Sequence, residues 1–449
     1  MGPSDIDALI DDRPADGVFR VHADALRSPE IFALELEHIF EGSWTFLGLE
    51  AQIPAAHDFF TTRIGRQPVL VARAASGRIG CFINSCRHRG SLVCHWGAGN
   101  ARHHVCAYHG WAYDSAGRNV AIPAAAQGDY TAAFAGENHD LRPVARFGSY
   151  RGFLFASLNP DVPPLEQHLG DARLFIDLVV DQGEDGIELV PGAVTYTYNG
   201  NWKMQIENSA DAYHFVPTHR SYIELLGRRN AAAAAEGHVS VLQKSLDPTV
   251  AHGTFCLPNG HNVLWSDNQA KEARPLYDAL DSLRRRVGEV RARWMFYTRN
   301  VLFFPNMQLL ENASLQIRVN RPLAADRTEI TTYCIAPKGE SDAARERRIR
   351  QYEEFFNPSG LATPDDTTIF EDCQAGQQSP WVDWHQGYMR GLAAVRAGAN
   401  DDARELGIAP SSAVASRTPL SDETIFHGPW REWRRLLMRG VERARRSDP

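Results

Sequence analysis

No stretch of this 449-residue sequence is apolar for long enough to span a bilayer, and no excess of basic residues would draw it to nucleic acid. Lysine and arginine total 47 against 55 aspartates and glutamates, a formal charge of -8 at pH 7. Cysteine is scarce: seven residues, an odd number without the spacing of a small cross-linked scaffold, argue against a disulfide framework and for a reducing compartment. The opening MGPSDIDALIDDRPADG has no basic and apolar leader, and Ile6 stands where a myristoylation signal wants Ser or Thr. The expectation is a cytoplasmic protein with no lipid anchor. A Gly-rich dinucleotide-binding loop is also missing, so a nicotinamide cofactor would have to act through another protein.

What is present is ordinary core material, 43% hydrophobic residues, in a texture that changes three times. Residues 18–41 predict a short strand and then an amphipathic helix entered at Pro29. From Trp44 to Leu158 short strands and turns follow one another, PVLVAR, IGCFINSC and RGFLFASL among them, which predicts an all-β unit. Beyond the Pro-rich joint NPDVPPLEQHLG come a strand, VTYTYN, a helix over WKMQIENSADAYHF, and the alternating stretches NVLFFPNMQLL, SLQIRVNRP and TEITTYCIAP, with two helical stretches closing the chain. The class is α+β. The division is an N-terminal segment, 1–43, packing on the last domain; an all-β domain, 44–158, inserted before it; and a larger α+β domain, 159–449, with an antiparallel sheet flanked by helices. NAAAAAEG, 230–237, predicts either a helix or a mobile flap. The arginine clusters SLRRRVGEVRARW and ARERRIRQYEE are mixed with acids and predict solvated helix faces, not a nucleic-acid surface.

Two short motifs carry the chemistry. Cys86 and His88 sit in NSCRHRG, and Cys106 and His109 in VCAYHGW, with 17 residues, 89–105, between the pairs. Such pairs at two hairpin tips can grip a metal centre from both sides. Zinc is the plain alternative, but zinc knuckles usually repeat one ligand type with two to four residues between. Two thiolates on one iron and two neutral imidazoles on the other is the ligation of a Rieske [2Fe–2S] cluster. Gly90 and Gly110 beside the ligands let the backbone approach it. Cys81 and Cys94 fit no ligand position and are expected to be buried small hydrophobes.

CRHRG and CAYHGW resemble the Rieske motif of bacterial aromatic-ring-hydroxylating oxygenases. Respiratory Rieske proteins carry an extra cysteine in each loop, where this chain has Ser91 and Tyr108. A second constellation separates an oxygenase from an electron carrier. Glu207, Asp211 and His214 fall at i, i+4 and i+7, one face of a predicted helix that Pro217 ends, with His219 after the break. Two imidazoles facing one way supply two sides of an oxygen-activating ferrous site, which takes one carboxylate more. Asp365 and Asp366 open a predicted helix in SGLATPDDTTIFEDCQAG, where either could be a cap. The resemblance puts Asp366 on the ligand position, with Glu371 and Asp372 as fallbacks.

The resemblance covers nearly the whole chain. NWK, EN, the D-x-Y-H-x4-H run, SLQIRVNRP, CIAPKGES, RIRQYEEFFNPSG and ATPDD with CQAG are most similar to large (alpha) subunits of the benzoate, toluate and anthranilate dioxygenase group. The chain departs from that pattern in HFVPTHRSYIELLGRRN, beside the expected pocket. The resemblance implies a terminal oxygenase that uses O2 and electrons from NAD(P)H, delivered by a reductase with or without a ferredoxin, to cis-dihydroxylate an aromatic acid. Its cofactors would be the Rieske cluster and a mononuclear Fe(II). Asp211 would bridge the cluster of one subunit to the iron of the next, in a homotrimer or a hetero-hexamer with small beta subunits. A monooxygenase on the same scaffold, salicylate-hydroxylase-like or a demethylase, is the alternative reading, and an electron-transfer-only Rieske protein a more distant one. A substrate carboxylate wants a guanidinium fork, for which Arg220, Arg318 and Arg321 are candidates.

Overall fold

The computed structural model describes residues 2–128, 130–237, 250–267, 270–312, 314–415 and 422–447. It divides into two compact units, one of residues 36–165 and one of residues 1–35 with 166–449.

The smaller unit is built around the strand Gln67–Arg73, flanked antiparallel by Asp58–Ile64 and Ile79–Ile83, with Ala98–Asn100 beyond Asp58–Ile64. Its side chains alternate between two cores, as a pleated strand covered on both faces must. Val69 and Val71 point into a cluster with Phe60, Ile64 and Leu154. Leu70 and Ala72 point into the other, with Phe59, Phe82, Trp111 and Tyr113. Cys86 and Cys106 are buried in this second cluster, so one face of the sheet carries both Cys–His loops. Only the second loop is a hairpin tip, between His103–Val105 and Ala112–Asp114. The first leaves Ile79–Ile83 and crosses to the opposite edge of the sheet, a topology that two-residue spacing cannot reveal. Buried Asn84 closes this crossover: its Oδ1 accepts from Val93 N (3.1 Å) and Cys94 N (2.9 Å), and its Nδ2 donates to Cys94 O (2.7 Å). Cys81 and Cys94 are buried, and burial raises both thiols above their ordinary pKa, as fits packing residues.

The larger unit contains an antiparallel sheet. Ile187–Leu189 and Val194–Tyr198 both pair with Arg327–Pro337, and the order continues through Leu315–Ala324, Met307–Glu311, Thr298–Phe303, Asn262–Ser266, His252–Cys256, Ser412–Ala415 and Arg396–Ala397. NVLFFPNMQLL is two strands rather than one. Pro305 has no N–H to give a ladder, and the chain reverses between Phe303 and Met307, which pair with each other. The closing region is richer than two helices. Asp342–Phe355 and Thr363–Gly376 are followed by short strands and by the helices Asp401–Leu406 and His427–Ser447.

Residues 1–35 supply a strand pair, Ile10–Arg13 with Val18–His22, that takes Trp384–His385 as its third member. They also supply Glu35. This fully buried carboxylate accepts from the indoles of Trp202 and Trp433 (2.7 Å each) and is paired with the ammonium of Lys203. Separating such a pair leaves a buried charge uncompensated, at about 3–5 kcal/mol. The NWK sequence is thereby pinned in place. The alanine run belongs to a helix, Arg220–Ala235. The arginine clusters do present solvated faces, with Arg284, Arg285, Arg286 and Arg350 exposed, but they are also tied to the fold: Arg286 donates to Asp181 O, Arg291 to the Asp181 carboxylate, and buried Arg348 to Glu340. Among the described residues no helix is long and apolar enough to cross a membrane.

Candidate metal centres and their pocket

The two loops of the smaller unit share one design. In each, the cysteine N–H donates to the carbonyl five residues on, Cys86 to Ser91 and Cys106 to Trp111 (2.8 Å each), and the glycine N–H returns to the cysteine carbonyl. The glycines stand at φ +75° (Gly90) and +74° (Gly110), the left-handed region that closes so short a loop. His88 is third in its loop and His109 fourth in its own. The offset lets the rings meet edge to face with their Nδ1 atoms 3.1 Å apart. Cys86 Sγ lies 3.4 Å from the Tyr113 hydroxyl. Burial works against a Cys106 thiolate, yet the N–H groups of Tyr108 and His109 and the Cys86 thiol hold its pKa below the ordinary value. The result is two thiols on the buried side and two imidazole nitrogens converging on the outer side, a donor set that fits an iron–sulfur cluster.

In the larger unit the Trp202–Asn208 helix is capped by Asn201, whose side chain accepts from Lys203 N at 3.1 Å. The helix stops at Asn208 instead of running to His214, so the expected stripe of Glu207, Asp211 and His214 does not exist. The backbone groups that would continue it are engaged elsewhere. The Ser209 carbonyl accepts from Asn300 Nδ2 (2.6 Å), and the Tyr213 N–H donates to Asp211 Oδ1 (2.6 Å). Asp211 thus folds its own turn, which is how short polar side chains compete with a helix. Glu207 points away from the histidines, accepting from Tyr388 OH (3.0 Å) and Trp430 Nε1 (2.6 Å). Burial, only partly countered by those two donors, pushes its pKa up to about 7. Pro217 does not end a helix either. It lies in the short Phe215–Thr218 turn, in the first-turn region where no N–H is needed, and His219 opens the next helix.

His214, His219 and Asp366 converge nonetheless. One ligand atom from each lies within 4.8 Å of the others, and no other such cluster of three or more occurs among the described residues. Asp366 Oδ1 is 3.4 Å from His214 Nε2 and 3.2 Å from His219 Nε2. Each ring turns its other nitrogen to a carboxylate: His214 Nδ1 is 3.2 Å from Asp211 Oδ2, and His219 Nδ1 is 3.3 Å from Asp365 Oδ2. This pairing sets the tautomer that leaves both Nε2 lone pairs free for a metal. Asp365, adjacent to the expected ligand, therefore has a place of its own. Asn208, to which sequence reasoning gave no role, puts Nδ2 3.1 Å from both His214 Nε2 and Asp366 Oδ1. Glu371 and Asp372 are exposed on the same helix, Glu371 accepting from Asn199, so neither fallback joins the cluster. The reason is helical geometry: five or six residues on from Asp366 the helix presents another face.

Burial alone would lower the His214 pKa, but the carboxylates of Asp211 and Asp366 raise it to about 10. Asp366 is buried yet held below the ordinary carboxylate range by the two histidines. The metal-free site therefore carries a proton that a metal must displace. Uptake of Fe(II) near pH 7.5 is expected to release about one proton per site, and apparent affinity to fall about tenfold per pH unit of acidification. Titration with an indicator dye in weak buffer checks this, and stoichiometric uptake with no proton released contradicts it.

A cavity opens beside the three donors, lined by Phe215, Leu264, Asn300, Leu310, Arg318, Phe355 and Phe356 among others. The segment HFVPTHRSYIELLGRRN backs its wall: Tyr222 and Leu226 pack with Phe355 and Phe356. Of the three candidate arginines only Arg318 reaches this cavity. Arg220 is exposed and bound to Glu224, and Arg321 is paired with Glu329.

Comparison with known proteins agrees with these features. Residues 43–144 match the model of the Rieske [2Fe-2S] domain, and residues 188–400 that of the ring hydroxylating alpha subunit catalytic domain. The chain is 39% identical to toluate 1,2-dioxygenase subunit alpha of Pseudomonas putida, over 99% of this chain and 96% of that one. It is 38% identical to the anthranilate 1,2-dioxygenase large subunit of Acinetobacter baylyi, over 98% and 93%. A crystal structure of a naphthalene 1,2-dioxygenase variant bound to phenanthrene superposes with a TM-score of 0.82 at 26% identity, covering 99% of this chain and 98% of that one. With both domain types in order and near-complete overlap with these relatives, the chain belongs to the Rieske-type aromatic ring-hydroxylating dioxygenases, as an alpha subunit.

Proposed function

We propose that this subunit hydroxylates an aromatic carboxylic acid of the benzoate or anthranilate type, adding both atoms of O2 to the ring as a cis-diol. Electrons would come from NAD(P)H through a separate reductase. The observation that carries the reading is the convergence of His214, His219 and Asp366 at the wall of a largely apolar cavity with one buried guanidinium. Similarity to the toluate and anthranilate enzymes supports the acid class. In this reading Cys86, His88, Cys106 and His109 hold the [2Fe–2S] cluster, and His214, His219 and Asp366 hold a mononuclear iron. That iron, when bound, supplies the activation of dioxygen.

The chain's own residues have three tasks. Asp211 and Asp365 fix the tautomer and angle of the two imidazoles. The phenylalanines beside the donors exclude water and hold the flat face of an arene. Asp211 also stands where the family's intersubunit bridge falls, so that electrons reach the iron from the cluster of a neighbouring subunit in a trimer, with or without small beta subunits.

The test is composition followed by one variant. The purified chain should be red-brown, with two iron and two labile sulfide per cluster and one further iron; stoichiometric zinc without sulfide would sink the reading. His88→Ala should abolish the Rieske spectrum while leaving the mononuclear site able to bind iron. A native spectrum in that variant would displace the cluster from these loops. Feeding substituted benzoates to cells that also express a matching reductase, with product analysis, separates dioxygenation from monooxygenation.

A further inference from the structure

Four arginines are buried among the described residues, and three of them are answered by carboxylates. Arg274 and Arg299 share Glu311, and Arg348 is held by Glu340. Arg318 is the exception. It is 1% exposed, on the Leu315–Ala324 strand, with Gln308 and Thr332 as its cross-strand neighbours. Its Nη2 makes one long hydrogen bond, 3.4 Å, to Thr363 Oγ1, and its Cζ lies 4.8 Å from the centre of the Phe356 ring. Nε has no partner, and no aspartate or glutamate pairs with it among the described residues.

A guanidinium cannot shed its charge, so a buried one with open donors is costly until an anion arrives. Arg318 lines the cavity that holds His214, His219 and Asp366, and it is the one arginine or lysine among the residues that line it. Its hydroxyl partner Thr363 lies one helical turn before Asp366 on the same helix, so a single rigid element sets both the charged end of the cavity and the metal donor.

We propose that Arg318 is the residue that receives the substrate's carboxylate and so selects aromatic acids over neutral arenes. The proposal rests on the aromatic-acid reading above and identifies its anchoring group. The planar fork donates to the two carboxylate oxygens side by side, and the Phe356 ring beneath the guanidinium restricts its position and hence the orientation of the attached arene. The neighbouring apolar walls then take the arene. A neutral substituent in the same place would leave the charge unpaired and be rejected for that reason.

The test uses the full iron-loaded oxygenase, with benzoate and its uncharged analogue benzamide as probes. Anaerobic calorimetric titration measures binding, and turnover with a reductase measures kcat and KM. The wild type should bind benzoate at least tenfold more tightly than benzamide. Arg318→Met should weaken benzoate about a hundredfold, the scale of removing one partner of a buried charge pair, and leave benzamide little changed. Arg318→Lys keeps the charge and loses the fork, and should weaken benzoate roughly tenfold. If the Met variant does not fold, as the Rieske spectrum and iron content report, the Lys variant decides alone. Undiminished benzoate affinity in either variant overturns the assignment. So does an equal loss for benzoate and benzamide, which is what a merely structural arginine would produce. A wild type that prefers neutral arenes overturns the aromatic-acid reading itself, and this assignment with it.

Discussion

Asp366→Ala is expected to lose the mononuclear iron and, with it, hydroxylation by roughly a thousandfold or more, beyond the 10–100-fold cost of losing an outer-shell partner. Asp366 is the one carboxylate whose oxygen lies with both Nε2 atoms in the cluster of possible ligands. It is 5% exposed, and among the described residues no other aspartate or glutamate joins the two histidines in that cluster. Two histidines alone would hold ferrous iron weakly, and exchange into metal-free buffer should remove it. The Rieske absorbance should be unchanged, because its donors belong to separate loops of the chain. Metal analysis after desalting, read beside the visible spectrum, measures both at once. Glu371→Ala and Asp372→Ala serve as controls and should retain iron and activity, since both side chains face away on the helix. Full activity in Asp366→Ala with loss in either control would reassign the ligand.

The residues that the structure brings together at the two candidate centres were legible because metal chemistry restricts residue type and spacing at once. Two Cys–His pairs of unequal spacing leave few other uses, and paired histidines in a D-x-Y-H-x4-H run leave few more. The unequal spacing itself became intelligible only in three dimensions, where both loops prove to be the same six-residue turn with the histidine one place later in the second. Periodicity failed between Trp202 and His219. A helical reading assumes that backbone groups bond within the helix, and here Asn300, from a distant strand, takes the Ser209 carbonyl while Asp211 takes the Tyr213 N–H. Nothing local in the sequence announces Asn300.

Two further residues were hidden for different reasons. Asp365 looks like a cap beside a ligand, and only the orientation of His219 Nδ1 separates it from a solvated acid. Arg318 could not be ranked against Arg220 and Arg321, because arginine in a strand is ambiguous until its partners are known. Ion pairing removes the other two and leaves Arg318 facing the cavity. In each case the missing information was a long-range partner, which burial and hydrogen bonding supply and spacing does not.

Asp211→Asn is the substitution that separates the negative charge beside His214 from the turn that carries it. Asp211 has two roles that an amide splits. Its Oδ1 closes the turn by accepting from Tyr213 N (2.6 Å) and His214 N (3.3 Å), and asparagine keeps an oxygen for that. Its Oδ2 lies 3.2 Å from His214 Nδ1, and there the negative charge is lost. The turn and the Rieske centre should therefore survive. Because an amide N–H now faces Nδ1, iron affinity should fall within the roughly 10–100-fold of losing an outer-shell partner, so the assays are run with Fe(II) in excess. Asp211→Ala removes the turn as well and should cost stability on top. Losing the charge lowers the basicity of His214 and, if Asp211 bridges to a cluster histidine such as His109 of a neighbouring subunit, interrupts the link between the two centres. Turnover should fall about a hundredfold or more with substrate affinity retained. Stopped-flow reoxidation of the reduced Rieske centre, with substrate and oxygen present, should slow by the same factor. Rapid reoxidation with slow turnover would assign Asp211 to orienting His214 alone, and wild-type values for both would return it to the role of a turn-forming aspartate.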